Sequence, residues 1–214
     1  MRTAVLISGR GSNLAALIDT CRRPGARAEI ALVISNRPDA AGLQHARAAG
    51  IPTETVDHRR FETREDYDRH LSDRFEAHRV ALVCLAGFMR VLSGWFAERW
   101  RDRLLNIHPS LLPAFPGLDA HRRVLAAGVR FSGCTVHFVR AEVDAGPIVV
   151  QGVVPVRQED TPETLAARVL QAEHRCYPVA LDLVASGRVR VVDERVLIED
   201  AAMPATILIS PEPE

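Results

Sequence analysis

Apolar runs and segments of helical spacing alternate along the first half of the chain. Short apolar runs predict strands at residues 3–8, 30–35, 53–56 and 80–86. Between them, apolar residues recur every three or four positions, which predicts helices at residues 13–22, 40–49 and 64–77. The run at 80–86 is apolar throughout, as is typical of a strand buried on both faces of a parallel sheet. The alternation therefore predicts an α/β fold: an open, mostly parallel, twisted sheet with helices on both faces.

The pattern changes after a further apolar strand, which is predicted at residues 104–107. A loop rich in proline and glycine follows at 109–117. The remaining predicted elements are a short helix at 120–127, strands at 135–139 and 148–156, a helix from 162 to about 186, and a hairpin of 189–192 with 195–198 around Asp193 and Glu194. Thr161 is the expected N-cap of the long helix, with Pro162 at its first position and Glu163 in its first turn. Residues 201–214 are expected to form a tail that is frayed at 210–214.

The composition is that of a soluble globular protein. The 214 residues are 47% hydrophobic and 25% charged, with a formal net charge of +0. No block of like charges and no apolar run of membrane-spanning length occurs in the sequence, so we expect neither a nucleic-acid nor a membrane partner. The amino terminus leads directly into a strand without the features of a signal peptide, which favours a cytoplasmic location.

Two residue types narrow the chemistry further. All 27 basic residues are arginine, which excludes a Walker A loop, a Schiff-base lysine and a pyridoxal-phosphate enzyme. The four cysteines lie far apart, with no histidine at metal-ligand spacing: Cys21, Cys84, Cys134 and Cys176. We therefore predict buried, reduced thiols and no metal site.

Asn106 and His108 are the strongest candidates for chemistry. They stand two residues apart at the end of the apolar strand, which Pro109 terminates. Because successive strand side chains point to opposite faces, these two share one face. Open α/β sheets bind their ligands at this end of the strands. An amide donor beside an imidazole can stabilise a developing oxyanion and transfer a proton.

A glycine-rich segment at residues 9–13 joins the first strand to the first helix. Backbone N–H groups at a helix start, beside glycines that allow close approach, form an anion site. Leu14 stands where a dinucleotide fingerprint has a third glycine, and Ser35 and Asn36, not an acidic residue, close the second strand. These features favour a single phosphate over a dinucleotide; the alternative is an ordinary capped turn.

Several other residues have a structural interpretation beside a functional one. Asp144 precedes Gly-Pro and, taken alone, is a turn residue. For His137, within a predicted strand, a structural role competes with a catalytic one. His121 is expected to pack or to lie at the surface, and Glu173 falls in mid-helix, where a solvated face is the default. The segment 87–92 is either core or the lining of a pocket for a flat ring.

Seven widely separated motifs occur in a fixed order, and together they are far more specific than any one of them. They are residues 8–14 (SGRGSNL), 85–90 (LAGFMR), 105–113 (LNIHPSLLP), 135–137 (TVH), 144–148 (DAGPI), 173–174 (EH) and 177–178 (YP). Over essentially its whole length the chain resembles the phosphoribosylglycinamide formyltransferase family, folate-dependent enzymes of purine synthesis. The resemblance implies the formyltransferase fold, Rossmann-like in its amino-terminal half. It also implies one domain at 1–200, with a phosphate-binding half at 1–103, a catalytic and folate-binding half at 104–200, and a tail at 201–214.

The resemblance also implies a reaction and a set of site residues. The family transfers a formyl group from its cosubstrate 10-formyltetrahydrofolate to the amine of glycinamide ribonucleotide. The implied catalytic residues are Asn106 on the oxyanion, His108 as general acid and base, and Asp144 tuning the histidine. The implied phosphate and ribose ligands are Gly11, Ser12, Asn13 and Glu173. The implied folate ligands are Arg64, Met89, Arg90, Val91, Leu92, Asn106, Arg140, Ala141, Glu142, Val143 and Asp144.

The same resemblance makes Thr135 and His137 candidate supporting residues. It implies small-molecule substrates and no metal, for a monomer or a homodimer. One position departs from the pattern: family members often carry a basic residue where this chain has Leu170. The loop N–H groups, or an arginine such as Arg168, would then have to hold the phosphate.

Other functions on the same scaffold stay open. Methionyl-tRNA formyltransferase shares the Asn-x-His and Asp arrangement, but it carries a further carboxyl-terminal domain and a basic surface for tRNA. A formyltetrahydrofolate hydrolase would use water in place of the amine and would normally carry an extra amino-terminal domain. A non-catalytic folate or nucleotide sensor is a third class, against which the set of Asn106, His108 and Asp144 argues.

Overall fold

A computed structural model describes residues 1–202 and 205–210 of the chain. The strands are β1 Arg2–Ile7, β2 Glu29–Ser35, β3 Thr53–Thr55, β4 Leu82–Leu85, β5 Leu104–His108, β6 Phe131–Phe138, β7 Ile148–Pro155, β8 Val189–Val192 and β9 Arg195–Ile198. The helices are α1 Ser12–Cys21, α2 Gly42–Ala48, α3 Arg64–Ala77, α4 Gly94–Arg99, α5 Ala120–Ala127 and α6 Pro162–Ala185, with a short 3-10 helix at His58–Arg60. The tail predicted at 201–214 falls partly outside the described residues, because 203–204 and 211–214 are not described.

Seven strands form one sheet in the order β3-β2-β1-β4-β5-β6-β7. β1 to β5 pair in parallel, and β6 and β7 extend the sheet in antiparallel pairing. β1 lies between β2 and β4, so the chain builds one edge of the sheet first and then returns to build the other. This reversal is a switch point, where the carboxyl ends of β1 and β4 leave a crevice for ligands. Both predicted halves supply strands to this sheet, and the division at residue 103 stays a prediction.

Alternate side chains of the central strands build two cores, one on each face of the sheet. In β1, Val5 and Ile7 belong to the core formed with α1, α2 and α6, whereas Ala4 and Leu6 belong to the core formed with α3 and α4. The central strands are continuously apolar because both of their faces are buried. The predicted open, mostly parallel sheet with helices on both faces is confirmed.

The structure differs from the sequence prediction at α4 and at the start of β6. No helix is predicted at α4, since six residues that begin Gly-Trp-Phe have little helix propensity. Ser93 starts the helix by accepting a hydrogen bond on Oγ from Phe96 N at 3.2 Å. β6 begins at Phe131, four residues before the predicted start at 135, because pairing with β7 extends it. Gly133 lies in that extension, and a side chain is excluded there because a Cβ would lie only 1.8 Å from Gly152 O.

The carboxyl-terminal elements follow the predicted pattern. Thr161 caps α6 by accepting a hydrogen bond on Oγ1 from Thr164 N at 3.3 Å, and Pro162 is the first helical residue. The β8–β9 hairpin turns at Asp193 and Glu194. Among the described residues, no helix has both the length and the apolarity that crossing a membrane requires.

Tyr177 connects α6 to two neighbouring strands, β4 and β5. Its hydroxyl lies 3.1 Å from Leu85 O and 3.2 Å from Leu105 O, and its side chain is fully buried. One donor therefore serves the last residue of β4 and the residue of β5 that precedes Asn106. The contact fixes the helix against the strand that carries the candidate chemistry.

We expect Tyr177→Phe to lower the free energy of unfolding by about 1–2 kcal/mol, because two buried carbonyls lose a shared donor. Urea unfolding measures the change. Tyr67→Phe is the matched control, since Tyr67 is equally buried and its hydroxyl has no hydrogen-bond partner among the described residues. An equal loss in both variants would show that the hydrogen bonds of Tyr177 do not carry the cost.

Candidate active site

Asn106 and His108 lie at the end of β5, beside β6. The antiparallel register pairs Asn106 with His137 and His108 with Thr135. His108 and His137 are buried, and Asn106 is half-buried. The two polar side chains of the Asn-x-His pattern do share one face, and β6 adds a second histidine to it.

Both ring nitrogens of His108 face oxygen atoms. Nδ1 lies 3.2 Å from Asp144 Oδ2, and Nε2 lies 3.0 Å from Phe115 O. A ring that carries both protons can donate to both acceptors, and the carboxylate balances its charge. The side chains of His108 and Asp144 are only 8% and 9% exposed, so water screens this pair weakly.

Asp144 is held by the loops around it. Its Oδ2 accepts a hydrogen bond from Gly117 N at 2.7 Å, and its Oδ1 lies 3.7 Å from His137 Nε2. The residue has a φ of 56°, a left-handed conformation that aspartate adopts more readily than most residues. Asp144 is thus a turn residue, as its sequence context indicates, and its carboxylate also meets the imidazole of His108.

His137 fixes the orientation of the Asn106 amide. His137 Nδ1 lies 3.0 Å from Phe138 O, which can only accept, so Nδ1 carries the proton. Nε2 then accepts a hydrogen bond from Asn106 Nδ2, which lies 3.2 Å away. Burial lowers the pKa of His137 below the usual 6.5, because the charged ring would lose hydration. The second Nδ2 proton of Asn106 remains available to a substrate oxygen.

Thr135 supports the loop that follows β5. Its Oγ1 donates to Ser110 O at 2.7 Å and accepts from Leu112 N at 3.0 Å. Gln151 Nε2 also lies 3.0 Å from this oxygen. Thr135 therefore holds the segment directly after His108, at one remove from the candidate reacting groups.

A cavity of about 390 Å³ opens beside these side chains. It is lined by ten of the residues expected at the folate: Met89, Arg90, Val91, Leu92, Asn106, Arg140, Ala141, Glu142, Val143 and Asp144. Its walls also include Phe88, from the segment 87–92 that is predicted as core or pocket lining, and five residues for which no such prediction is made: Leu85, Ala97, Gly117, Leu118 and Val139. Largely apolar walls with a few polar groups suit a flat heteroaromatic ring. Leu85 and Phe88 fall within the motif at 85–90, which was the available signal for them.

Of the eleven residues expected at the folate, all of which the structure describes, only Arg64 does not line this cavity. Arg64 is exposed in the first turn of α3. One turn further on, Asp68 is buried and its Oδ2 accepts a hydrogen bond from Ser93 N at 2.6 Å. Burial raises the pKa of Asp68, and the Ser93 hydrogen bond opposes that shift. Asp68 therefore fixes the end of the segment 89–92, a role that no sequence signal indicates.

The glycine-rich loop after β1 packs against α2 by backbone contact. Gly11 has a φ of 76°, and a Cβ on it would lie 2.5 Å from Gly42 Cα. A Cβ on Gly42 would in turn lie 2.9 Å from Gly11 Cα. Side chains are therefore excluded at both positions. No side chain of the described chain caps the first turn of α1, so its N–H groups are open to an anion.

Ser8 ties this loop to the cavity. Its Oγ donates to Asn36 Oδ1 at 2.6 Å and accepts from Met89 N at 2.9 Å. Its backbone N donates to Gly87 O at 3.1 Å. The carboxyl ends of β1 and β4 are thereby joined, and the glycine-rich loop and the cavity become neighbours.

Asn13 and Glu173, which are 160 residues apart in sequence, meet at a distance of 2.7 Å between Nδ2 and Oε2. Glu173 is buried rather than solvated, and burial raises its pKa while the Asn13 hydrogen bond opposes that shift. Asn13 Oδ1 is buried without a hydrogen-bond partner among the described residues. Such an atom is typical of a place where a polar ligand completes the hydrogen bonds.

Arg168 does not replace the basic residue that family members often carry where this chain has Leu170. Its Nη1 lies 2.6 Å from Asp160 Oδ2 and also donates to Pro155 O at 2.8 Å. Two arginines and two histidines line a groove beside Ser12, together with the acidic Asp19: Arg23, Arg175, His45 and His174. Burial lowers the pKa of His174, which disfavours its charged form. Nothing in the sequence pattern indicates that these four converge.

No group of three or more histidine, cysteine, aspartate or glutamate side chains is placed to hold a metal ion within residues 1–202 and 205–210. All four cysteines are free thiols. Burial raises the pKa of the Cys84 thiol to about 12, so it stays protonated and unreactive.

The profile of the formyl transferase family matches residues 1–181. The chain belongs to this family. Phosphoribosylglycinamide formyltransferase of Escherichia coli (strain K12) is 43% identical to this chain over 204 residues. The match covers 95% of this chain and 96% of that relative. The trifunctional purine biosynthetic protein adenosine-3 of Gallus gallus is 54% identical over 191 residues. This match covers 89% of the chain but only 19% of the longer trifunctional protein.

Solved structures of relatives have the same fold. Glycinamide ribonucleotide transformylase 1 from Symbiobacterium toebii superposes on this formyl transferase with a TM-score of 0.91, at 50% identity over 94% of each chain. A formyltetrahydrofolate deformylase from Pseudomonas syringae pv. tomato superposes with a TM-score of 0.86 at 28% identity, over 93% of this chain and 66% of that one.

We expect His137 to be neutral, with its proton on Nδ1, at pH 6.5, where an unperturbed histidine is half protonated. Because burial lowers the pKa of this ring, its charged form grows only as the pH falls further. Ring 15N chemical shifts measure both the protonation state and the tautomer, and a His137→Gln variant assigns the signal. A titration midpoint above 6.5, or a proton on Nε2, would contradict the hydrogen bonds to Phe138 and Asn106.

Proposed function

We propose that the chain transfers the formyl group of 10-formyltetrahydrofolate to the amine of 5-phosphoribosylglycinamide, a step of purine synthesis. The observation that carries this proposal is the convergence of Asn106, His108 and Asp144 on one cavity beside an anion-binding loop. The name of the Escherichia coli relative, which aligns with this chain over nearly the full length of both, supports the choice of acceptor and of the transferred group.

Asn106 stabilises the charge that develops during attack. The substrate amine forms a bond to the formyl carbon, and the carbonyl oxygen takes up the negative charge. Asn106 Nδ2 has one proton on His137 and one to spare for that oxygen. A donor aimed at the developing charge contributes about 3–4 kcal/mol to the lowering of a barrier.

His108 and Asp144 handle the proton. The attacking nitrogen must lose one proton, and the folate nitrogen must gain one when its bond to the formyl carbon breaks. His108 exchanges these protons as general acid and base. Asp144 orients the imidazole through Nδ1 and balances its charge when both nitrogens are protonated. The products are a formamide and tetrahydrofolate, so no oxidant or metal enters the balance.

The glycine-rich loop and α6 hold the ribonucleotide in this proposal. Gly11, Ser12 and Asn13 present N–H groups to the phosphate, and Glu173 accepts a hydrogen bond from a ribose hydroxyl. Arg23 and Arg175, in the groove beside Ser12, add the positive charge that a basic residue at position 170 would otherwise supply. The segments 89–92 and 140–144 enclose the pterin ring on the other side.

Hydrolysis of the same donor is the second candidate, because the deformylase from Pseudomonas syringae shares the fold. Water would then replace the amine, with Asn106 and His108 in the same roles. We expect the purified chain to release tetrahydrofolate from 10-formyltetrahydrofolate only when glycinamide ribonucleotide is added. The absorbance change of the folate measures this release. Release in water alone would support the hydrolase, and donor binding without release would support a sensor.

We expect His108→Ala and Asp144→Ala each to lower kcat by about 10²–10⁴-fold, because each removes a proton-transfer group or its orienting partner. The KM for the donor should change far less, since neither side chain supplies most of its binding surface. Steady-state kinetics with both substrates measures the split. His70→Ala is the control, because His70 lies on α3, packs against Phe61 and does not line the cavity. Near-normal turnover in either catalytic variant would refute the assignment.

A further inference from the structure

Arg140 lies in the wall of the donor cavity, but its guanidinium is already bound by protein atoms. Nε donates to Glu194 Oε2 at 2.6 Å and Nη2 donates to Asp102 Oδ1 at 2.7 Å. Nη1 donates to Val139 O at 3.2 Å, and the side chain is only 11% exposed. All three guanidinium nitrogens therefore donate to protein oxygens, which hold the group in place.

Glu194 stands at the tip of the β8–β9 hairpin. Asp193 and Glu194 have φ angles of 49° and 56°, which is the left-handed geometry of a tight two-residue hairpin turn. The second carboxylate oxygen of Glu194 binds Arg101. Two arginines and the carboxylates of Glu194, Asp102 and Glu98 thus form one network, which joins the hairpin tip to the turn before β5 and to the end of β6.

The loop that begins at Arg140 also carries Asp144. A Cβ on Gly146 would lie 1.7 Å from Phe138 O and 3.3 Å from Arg140 Cγ, so the aliphatic part of Arg140 packs near the far end of its own loop. Hairpin residues 194–196 line a second cavity together with residues 144–148. The hairpin therefore borders the loop as well as binding its first residue.

The loop needs such support because of the direction of β6. β6 runs back along β5, and Val139 N donates to Leu104 O at 2.8 Å, beside the beginning of β5. Asp144 nevertheless meets His108, at the other end of the same strand. The loop must return along β5 to make that contact, and ordering it costs conformational entropy that its anchors offset.

We propose that Glu194 is a positioning residue for formyl transfer: by binding Arg140 it holds residues 139–147 in the conformation in which Asp144 meets His108. This inference rests on the proposed function. The hairpin lies beyond residue 181, where the match to the family profile ends. The position of the motif at 144–148 would therefore depend on an element outside that match. An exposed ion pair contributes little, but removing Glu194 leaves a mostly buried guanidinium without one of its partners.

Two variants and a matched control test the effect on turnover. Glu194→Ala should lower kcat/KM for the donor roughly three- to tenfold, the size of coupling between residues in one network, while the KM for the ribonucleotide stays unchanged. Glu194→Gln should recover much of the loss, because it keeps an oxygen acceptor of the same reach. Glu98→Ala is the control, since Glu98 pairs at 3.2 Å with the same Arg101 and is not an Arg140 partner in the described structure. In an Arg140→Met background, Glu194→Ala should have no further effect.

Hydrogen exchange tests the same inference without turnover. The amides of residues 139–147, and the Gly117 amide that donates to Asp144, should exchange faster in Glu194→Ala than in the wild type or in Glu98→Ala. Unchanged exchange together with unchanged kcat/KM would overturn the inference. So would an equal loss for both substrates that follows the melting temperature, because that pattern marks general destabilisation.

The two proposals fail in different ways. A wild-type chain that shows no amine-dependent release of tetrahydrofolate would refute the proposed function. The exchange experiment would then still decide whether Glu194 holds the loop, since it needs neither substrate.

Discussion

The buried carboxylate of Asp144 is the constraint on which the rest of the site depends. A carboxylate with so little exposure needs polar partners around it in place of water. Its partners are Gly117 N, in the loop after β5, and His108 Nδ1, at the end of that strand. Satisfying this one group therefore brings three separate segments together, and the same contacts orient the imidazole.

The antiparallel addition of β6 to an otherwise parallel sheet supplies the second half of the arrangement. It sets His137 directly opposite Asn106, so that a buried, neutral imidazole fixes which way the amide points. Because β6 is antiparallel to β5, the loop that follows β6 begins beside the amino end of β5. The loop therefore has to run back along β5 to reach His108 at the carboxyl end. The orientation of the amide thus follows from strand register, whereas the position of the carboxylate depends on anchors outside the sheet.

Geometry within one element is predictable from this sequence, and contacts between elements are not. The period of a strand places Asn106 and His108 on one face, and turn and cap residues fix the hairpin and the start of α6. The contact of Asn13 with Glu173 spans 160 residues, and only the family resemblance groups the two. Neither route indicates the contact of Arg140 with Glu194, because it depends on how a hairpin outside the matched segment folds back.

The two sides of the site decide different parts of the function. The proposed transfer and its alternative, hydrolysis, would use Asn106 and His108 in the same roles, so those residues support a reaction class but do not select the acceptor. Transfer additionally requires that a phosphorylated amine be held in place of water. In the proposed function, the uncapped N–H groups that follow Gly11 and the buried, incompletely bonded Asn13 would do so. The proposed amine acceptor therefore depends on the phosphate side of the site, although the proposed proton transfers occur on the donor side.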